Sequence, residues 1–255
     1  MLKIKIKKEL GQNFIIKKGI IKNIIKIINI KTYEHILEIG SGIGLITQKL
    51  LDITKNKIYS IEIDNDLIKM LFNKFYFYSN YIFLKKDILK SDLSKIKKLR
   101  VIGNLPYNIS VKILLKLIKY KKNIKDMHLM FQKEVAMRLS AKKGEKSWGS
   151  LTVIIQYFCK VFKLFDLSSE NFIPKPKVIS TMIKLIPYKK ISCLRVKDKK
   201  TFFYIVKKSF SNKRQTIQKN LKGLRNSLNI SPKRRAKTLT IKEFVKITNT
   251  RSLLK

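Results

Sequence analysis

The period of the apolar positions changes several times along the chain. Residues 15–28 carry them at helical spacing behind a basic, glycine-broken stretch, Lys7-Lys8-Glu9-Leu10-Gly11-Gln12-Asn13-Phe14, which predicts an arm entering a helix. Short apolar runs follow at His35-Ile36-Leu37-Glu38-Ile39, Ile58-Tyr59-Ser60-Ile61, Tyr81-Ile82-Phe83-Leu84, Arg100-Val101-Ile102-Gly103 and Met127-His128-Leu129-Met130-Phe131. Their length and their turn-forming flanks predict strands, with His128 as a packed core residue. Amphipathic segments at 45–51 and 110–120 separate some of them, and the last run leads into Gln132-Lys133-Glu134-Val135-Ala136-Met137-Arg138-Leu139. Residues 151–158 are apolar enough for one more element, and 161–167 with 180–186 predict a hairpin. Past Pro187-Tyr188-Lys189-Lys190 the alternation stops, and 202–221 and 241–247 carry helical spacing. The expected architecture is α/β, a sheet with helices on both faces over residues 1–189, followed by a small C-terminal all-helical domain over 190–255.

The first strand runs directly into Gly40-Ser41-Gly42-Ile43-Gly44 and then a helix, an order that suits a nucleotide site. Glycines let the backbone approach a ligand and aim amide groups at it. Leu45 and Ile46 follow where a dinucleotide fingerprint would place its third glycine, so a pyrophosphate loop is not the best match. Glu62 ends the next strand at the offset where an acid meets a ribose, and its carboxylate can accept from both hydroxyls. Asp87 ends the strand after that and is placed to accept from an adenine amine beside apolar Ile88. Either acid alone could be an ordinary strand end. At successive strand ends behind a glycine loop, in a chain poor in acids, they favour a ligand site.

The fourth strand delivers Gly103-Asn104-Leu105-Pro106-Tyr107-Asn108-Ile109-Ser110 to the same edge. An amide, a proline-fixed backbone and an aromatic ring can clamp a planar amino-bearing ring, with Asn104 and a nearby carbonyl as acceptors and Tyr107 as a stacking face. Asn and Pro also form turns, so a bare strand-ending turn is the competing explanation. A second loop, Asn171-Phe172-Ile173-Pro174-Lys175-Pro176-Lys177-Val178, either presents Phe172 to a base and its lysines to phosphates, or is a rigid surface loop with Phe172 tucked inward.

Lys and Arg number 58 against 16 Asp and Glu, so the formal net charge is 58 − 16 = +42. This exceeds what solubility needs and points to a polyanionic partner, nucleic acid first. An AT-rich genome, which would also explain the abundant Ile, Asn, Phe and Tyr, accounts for part of the lysine but not for the scarcity of acids. Basic runs at Lys207-Lys208 to Lys213-Arg214 and at Lys233-Arg234-Arg235 mark the C-terminal module as a nucleic-acid grip. Cys159, Cys193, His35 and His128 fit neither a disulfide framework nor a zinc site, so no structural metal is expected. No apolar run approaches the roughly 18 residues of a membrane span, and Met1-Leu2-Lys3-Ile4-Lys5 does not open a signal peptide. The expected compartment is the cytoplasm, without membrane association.

Taken in order, Leu10-Gly11-Gln12-Asn13-Phe14, Glu38-Ile39-Gly40-Ser41-Gly42-Ile43-Gly44, Asn104-Leu105-Pro106-Tyr107-Asn108-Ile109-Ser110, Gln132-Lys133-Glu134-Val135-Ala136 and Pro174-Lys175-Pro176-Lys177-Val178 closely resemble the ribosomal RNA adenine N6,N6-dimethyltransferases of the KsgA type. The match covers nearly the whole chain. It implies a Rossmann-like class I methyltransferase sheet, with the methyltransferase domain over 1–189 and a basic helical RNA-binding domain over 190–255. It implies S-adenosylmethionine as cofactor, with Asn13, Ile15, Gly40, Gly42, Glu62, Asp87, Ile88 and Asn104 at its binding positions. It implies Asn104, Leu105, Pro106, Tyr107 and Phe172 around the reacting base. The implied substrate is two adjacent adenines near the 3′ end of small-subunit rRNA within a ribosomal precursor, acted on by a monomer. Trp148 stands where the family usually has Tyr. Relatives that methylate large-subunit rRNA usually carry Ser before Gln-Asn-Phe and often Ile before Pro-Tyr, so Gly11 and Leu105 favour the small-subunit enzyme. A ribosome-assembly checkpoint acting mainly by binding and a DNA adenine methyltransferase are the other readings. Intact Glu62, Asp87 and Asn104 weigh against the first, and the Asn-Leu-Pro-Tyr sequence with its basic tail weighs against the second.

Overall fold

A computed structural model describes residues 6–189, 195–221 and 230–251; Cys193 lies outside them. The chain packs as two compact units, Met1–Ala136 with Phe162–Pro187, and Met137–Val161 with Tyr188–Lys255.

The first unit is built on a seven-stranded sheet. In chain order its strands are β2 (Ile36–Ile39), β3 (Ile58–Glu62), β4 (Tyr81–Lys85), β5 (Leu99–Asn104), β6 (Ile124–Gln132), β7 (Cys159–Leu167) and β9 (Ser180–Pro187); β1 (Phe14–Ile15) and β8 (Phe172–Ile173) form a separate antiparallel pair. The sheet order is β4-β3-β2-β5-β6-β9-β7, parallel from β4 to β6, with β9 antiparallel to β6. Successive crossovers through α2 (Leu45–Ile53) and α3 (Asn65–Phe75) step outward from β2 in one direction. The crossover from β5 to β6 through α4 (Ser110–Lys119) steps the other way. Right-handed crossovers running in opposite directions put their helices on opposite faces. The strand order therefore reverses between β2 and β5, and a crevice opens there at the carboxyl ends.

One core layer explains why these segments fold as they do. Ile21, Ile24, Ile25 and Ile28 of α1 (Lys18–Ile28), with Leu50, Leu71 and Phe75 of α2 and α3, pack over Ile36, Ile58 and Ile102. The helix expected over 15–28 starts only at Lys18, because Phe14 and Ile15 pair with Ile173 and Phe172. At the amino end of the sheet Arg100 is buried. Its guanidinium donates to Asp126 (2.9 and 3.0 Å), to Glu34 (2.8 Å) and to the carbonyls of Ile28 and Asn29.

Along the chain α5 (Lys133–Ser140) follows β6. The second unit is helical, with α6 (Ser150–Phe158), α7 (Lys199–Ser209), α8 (Ile217–Leu221) and α9 (Ile241–Arg251). It takes in residues 137–161, which the sequence placed with the first domain, because Tyr157 packs on Phe202 and Phe158 on Phe203. The continuous helix expected over 202–221 is broken. Asn220 Nδ2 donates to the Ser209 and Asn212 carbonyls, while Asn212 Oδ1 takes the Arg214 N–H, so side-chain amides replace the helical ladder between α7 and α8.

Candidate active site

Gly40, Gly42 and Gly44 have φ of 70, 55 and 76°, a left-handed turn that L side chains resist. At Gly42 a Cβ would also sit 2.8 Å from Phe14 Cδ1, so the N-terminal arm closes directly over the glycine loop. Beneath the loop, buried Glu38 accepts from Thr47 Oγ1 at 2.6 Å, and the Ser41 and Ser60 hydroxyls meet at 2.5 Å. Burial pushes the Glu38 carboxyl from its ordinary 4.5 up to about 7, and nearby Glu62 adds to that push.

Glu62 ends β3 as a buried carboxylate held by main chain. Its Oε1 accepts from the Ile63 and Asp64 N–H groups at 2.8 and 3.2 Å, and its Oε2 from Gly42 N–H at 3.2 Å. Burial raises its pKa, and these three bonds oppose the rise. Asp87 caps its own turn, with Oδ1 accepting from Leu89 N–H at 2.8 Å. Glu62, Asp87 and Ile88 line a cavity of about 280 Å³ together with Gly40, Leu10 and Pro106. An adjoining cavity of about 70 Å³ is bounded by Asn13, Phe14, Gly42, Glu62, Asn104 and Leu105.

Asn104 closes β5 at the wall of this second cavity. Its Nδ2 donates to the Asn13 carbonyl, which fixes which way the amide faces. Its Oδ1 is buried and has no hydrogen-bond partner among the described residues. A buried acceptor left empty is costly and rare, and it marks a place where a donor belongs. Tyr107 is half-buried; its hydroxyl bonds the Ser180 hydroxyl, and Ser110 Oγ donates to its carbonyl at 3.1 Å.

The structure therefore gathers Asn13, Gly40, Gly42, Glu62, Asp87, Ile88, Asn104, Leu105 and Pro106 around one crevice. Ile15 is buried and borders a small recess beside Gly42 and Asn104. Phe172 differs from its expected place beside a base. It is fully buried in the core layer with Ile15, Met130 and Met182, so the inward alternative is the one this fold adopts. Its pairing with Ile15 turns the ring into the core. His128 is likewise fully buried, and burial holds it near 4, a neutral core residue despite Asp126 nearby. Among the described residues no group of His, Cys, Asp and Glu is placed to hold a metal ion, and no helix is long and apolar enough to cross a membrane.

Sequence reasoning missed how Asp64, Gln12 and Lys7 tie the arm down, since those contacts span more than fifty residues. Only the cap was legible, as Asp64 before Asn65-Asp66 at a helix start. In the second unit Ile217 N–H bonds the Arg234 carbonyl at 2.8 Å, which sets exposed Lys213 and Arg214 near exposed Lys233 and Arg235. Arg234 itself is taken up by Glu243 and the Thr238 carbonyl.

A family model described as ribosomal RNA adenine dimethylase matches residues 3–252. A protein called ribosomal RNA small subunit methyltransferase A from Hydrogenovibrio crunogenus is 41% identical over 261 residues, covering 98% of this chain and 97% of its own. One of the same name from Clostridium botulinum is 38% identical over 259 residues, covering 96% and 94%. Among solved structures, a dimethyladenosine transferase from Plasmodium falciparum superposes with a TM-score of 0.79 at 28% identity, over 92% of this chain and 95% of that one.

Proposed function

Because the chain belongs to the ribosomal RNA adenine dimethylase family, we propose that it dimethylates N6 of two adjacent adenines near the 3′ end of small-subunit rRNA, using S-adenosylmethionine. It acts as a cytoplasmic monomer on a ribosomal precursor. The observation that carries this reading is Asn104, whose amide is anchored through Nδ2 while its buried Oδ1 has no donor among the described residues.

The crevice suits the cofactor. Glu62 has a carboxylate oxygen with capacity beyond its single main-chain bond, fit for ribose hydroxyls, and Asp87 has an oxygen left over for an adenine amine beside Ile88. Gly40 and Gly42 keep side chains out of the way, and the arm at Asn13 and Phe14 forms one wall of the second cavity. Bound there, S-adenosylmethionine supplies a methyl group made electrophilic by its sulfonium.

The protein's own work is then to orient the acceptor. An adenine amine is a poor nucleophile because its lone pair is spread into the ring. Asn104 Oδ1 and the Leu105 carbonyl each accept one N6–H, which draws the nitrogen towards tetrahedral geometry and frees the lone pair. Asn104 does not titrate, so it positions the amine and removes no proton; the proton that the methylated N6 must lose passes to solvent, and the rate gain is orientation and electrostatic fit. The base must leave its stack, and Tyr107, held at its hydroxyl by Ser180, offers a face that returns roughly 1–3 kcal/mol of that cost.

Asn104→Ala is expected to abolish methyl transfer while leaving RNA affinity nearly intact. Tritiated methyl groups mapped on deproteinised RNA from undermethylated small subunits, with large-subunit RNA and DNA as controls, test both residue and substrate. Near-normal incorporation by the variant would sink the clamp, and label on the large-subunit RNA or DNA would redirect the assignment.

A further inference from the structure

The arm that covers the crevice is fixed at both ends, and the Asn104 amide depends on its middle. At one end Phe14 and Ile15 pair with Ile173 and Phe172, and Ile16 N–H donates to the Asn171 carbonyl at 3.1 Å. At the other end stands Asp64, buried at the start of α3. Its Oδ2 accepts from Gln12 Nε2 at 2.6 Å, and its Oδ1 takes the Lys7 ammonium and the Asp66 N–H. Gln12 cannot turn its amide over, because its Oε1 accepts the Lys7 N–H at 2.8 Å. The next residue is Asn13, whose carbonyl receives Asn104 Nδ2. Gly11 seats the preceding turn against the clamp, with a Cβ there falling 3.1 Å from Asn108 Oδ1.

An amide has two ends of opposite polarity, and in only one of Asn104's orientations is the acceptor the end left unpartnered among the described residues. The Asn13 carbonyl selects it, since the flipped amide would set oxygen against oxygen. We propose that Asp64 is a positioning residue for methyl transfer, acting through Gln12 and the Asn13 carbonyl to hold the Asn104 amide with its oxygen towards the acceptor amine. Asp64 touches neither substrate nor cofactor in this account, which rests on the methyltransferase reading above.

Asp64→Asn tests the linkage with little change in shape. Asn caps a helix as well as Asp does, so α3 keeps its start. The new amide group faces the Gln12 amide donor to donor, and Lys7 loses its nearer carboxylate, keeping Asp66 at 2.7 Å. At saturating cofactor, kcat should fall about tenfold, the factor that one net hydrogen bond represents in a rate. The KM for undermethylated small subunits should stay within about twofold, since RNA contacts are untouched. Deuterium uptake by residues 11–16 should rise, a readout that needs no turnover. Adding Gln12→Glu reverses donor and acceptor, so the double variant should recover most of the lost kcat and the slow exchange. Unchanged kcat in an active preparation, unchanged exchange, or a double variant no better than the single one would each overturn the proposal. A wild-type protein without methyl transfer on any RNA would instead remove the functional reading, and the exchange comparison would still decide whether Asp64 pins the arm.

Discussion

Replacing Glu62 by Gln changes one atom in a site where each oxygen already has work. Oε1 serves the Ile63 and Asp64 N–H groups and Oε2 serves Gly42. If the variant's oxygen stays on the two adjacent N–H groups, its NH2 confronts the Gly42 N–H and no acceptor remains for a ribose hydroxyl. A hydrogen bond to a charged acceptor is worth about 1.5–3 kcal/mol. At about 1.4 kcal/mol per factor of ten, the dissociation constant should rise about 10- to 150-fold. Calorimetric titration with S-adenosylhomocysteine measures this without turnover. Burial raises its pKa, so wild-type affinity should weaken as pH falls through that raised value, whereas the Gln variant should show no such step. A well-folded Glu62→Gln protein with an unchanged dissociation constant would refute the ribose assignment.

Glu38 predicts a pH dependence of stability. Its carboxyl is raised from 4.5 to about 7 by burial, so between those values the folded protein holds a proton that the unfolded chain has released, and stability falls as pH rises. The difference in unfolding free energy between Glu38→Gln and wild type should shift in the variant's favour by on the order of 3 kcal/mol from pH 4 to pH 8, and denaturant titrations showing no shift would contradict the buried-acid account. Arg100→Met should cost about 3–5 kcal/mol in the same assay, because Asp126 stays buried without its guanidinium partner and Glu34 keeps as cation only the half-exposed Lys125; a loss under about 1 kcal/mol would mean that water reaches them. Affinity for small-subunit RNA should fall steeply with salt, as phosphate contacts by a chain of charge +42 require, and a flat dependence in filter binding would count against them.

Much of this was legible because it is local. The run into Gly40-Ser41-Gly42-Ile43-Gly44 fixed a strand, a left-handed turn and a helix within a few residues, and the acids at 62 and 87 declared themselves by ending the next strands. What sequence could not carry was pairing at a distance. Helical spacing began at 15, yet the partner that draws Phe14 and Ile15 into a strand lies near residue 172. The same pairing decides that Phe172 faces the core, a choice that periodicity left open. The break after α7 has no glycine or proline to announce it; it depends on Asn212 and Asn220 finding main-chain partners across the turn. Residues 137–161 read as a continuation of the first domain because aromatic packing onto Phe202 and Phe203 leaves no mark on local pattern.

The three groups that hold Glu62 in place are all main-chain N–H groups, and the side chain at one of those positions, Ile63, is 52% exposed. Any residue except proline would present the same donor there. A genome that drives its codons towards lysine, isoleucine and asparagine can therefore rewrite the surface around this carboxylate without moving it. Mutational drift is absorbed by side chains such as Ile63, and the constraint falls on the acid, on the glycine beneath it, on Asp64, and on keeping proline out.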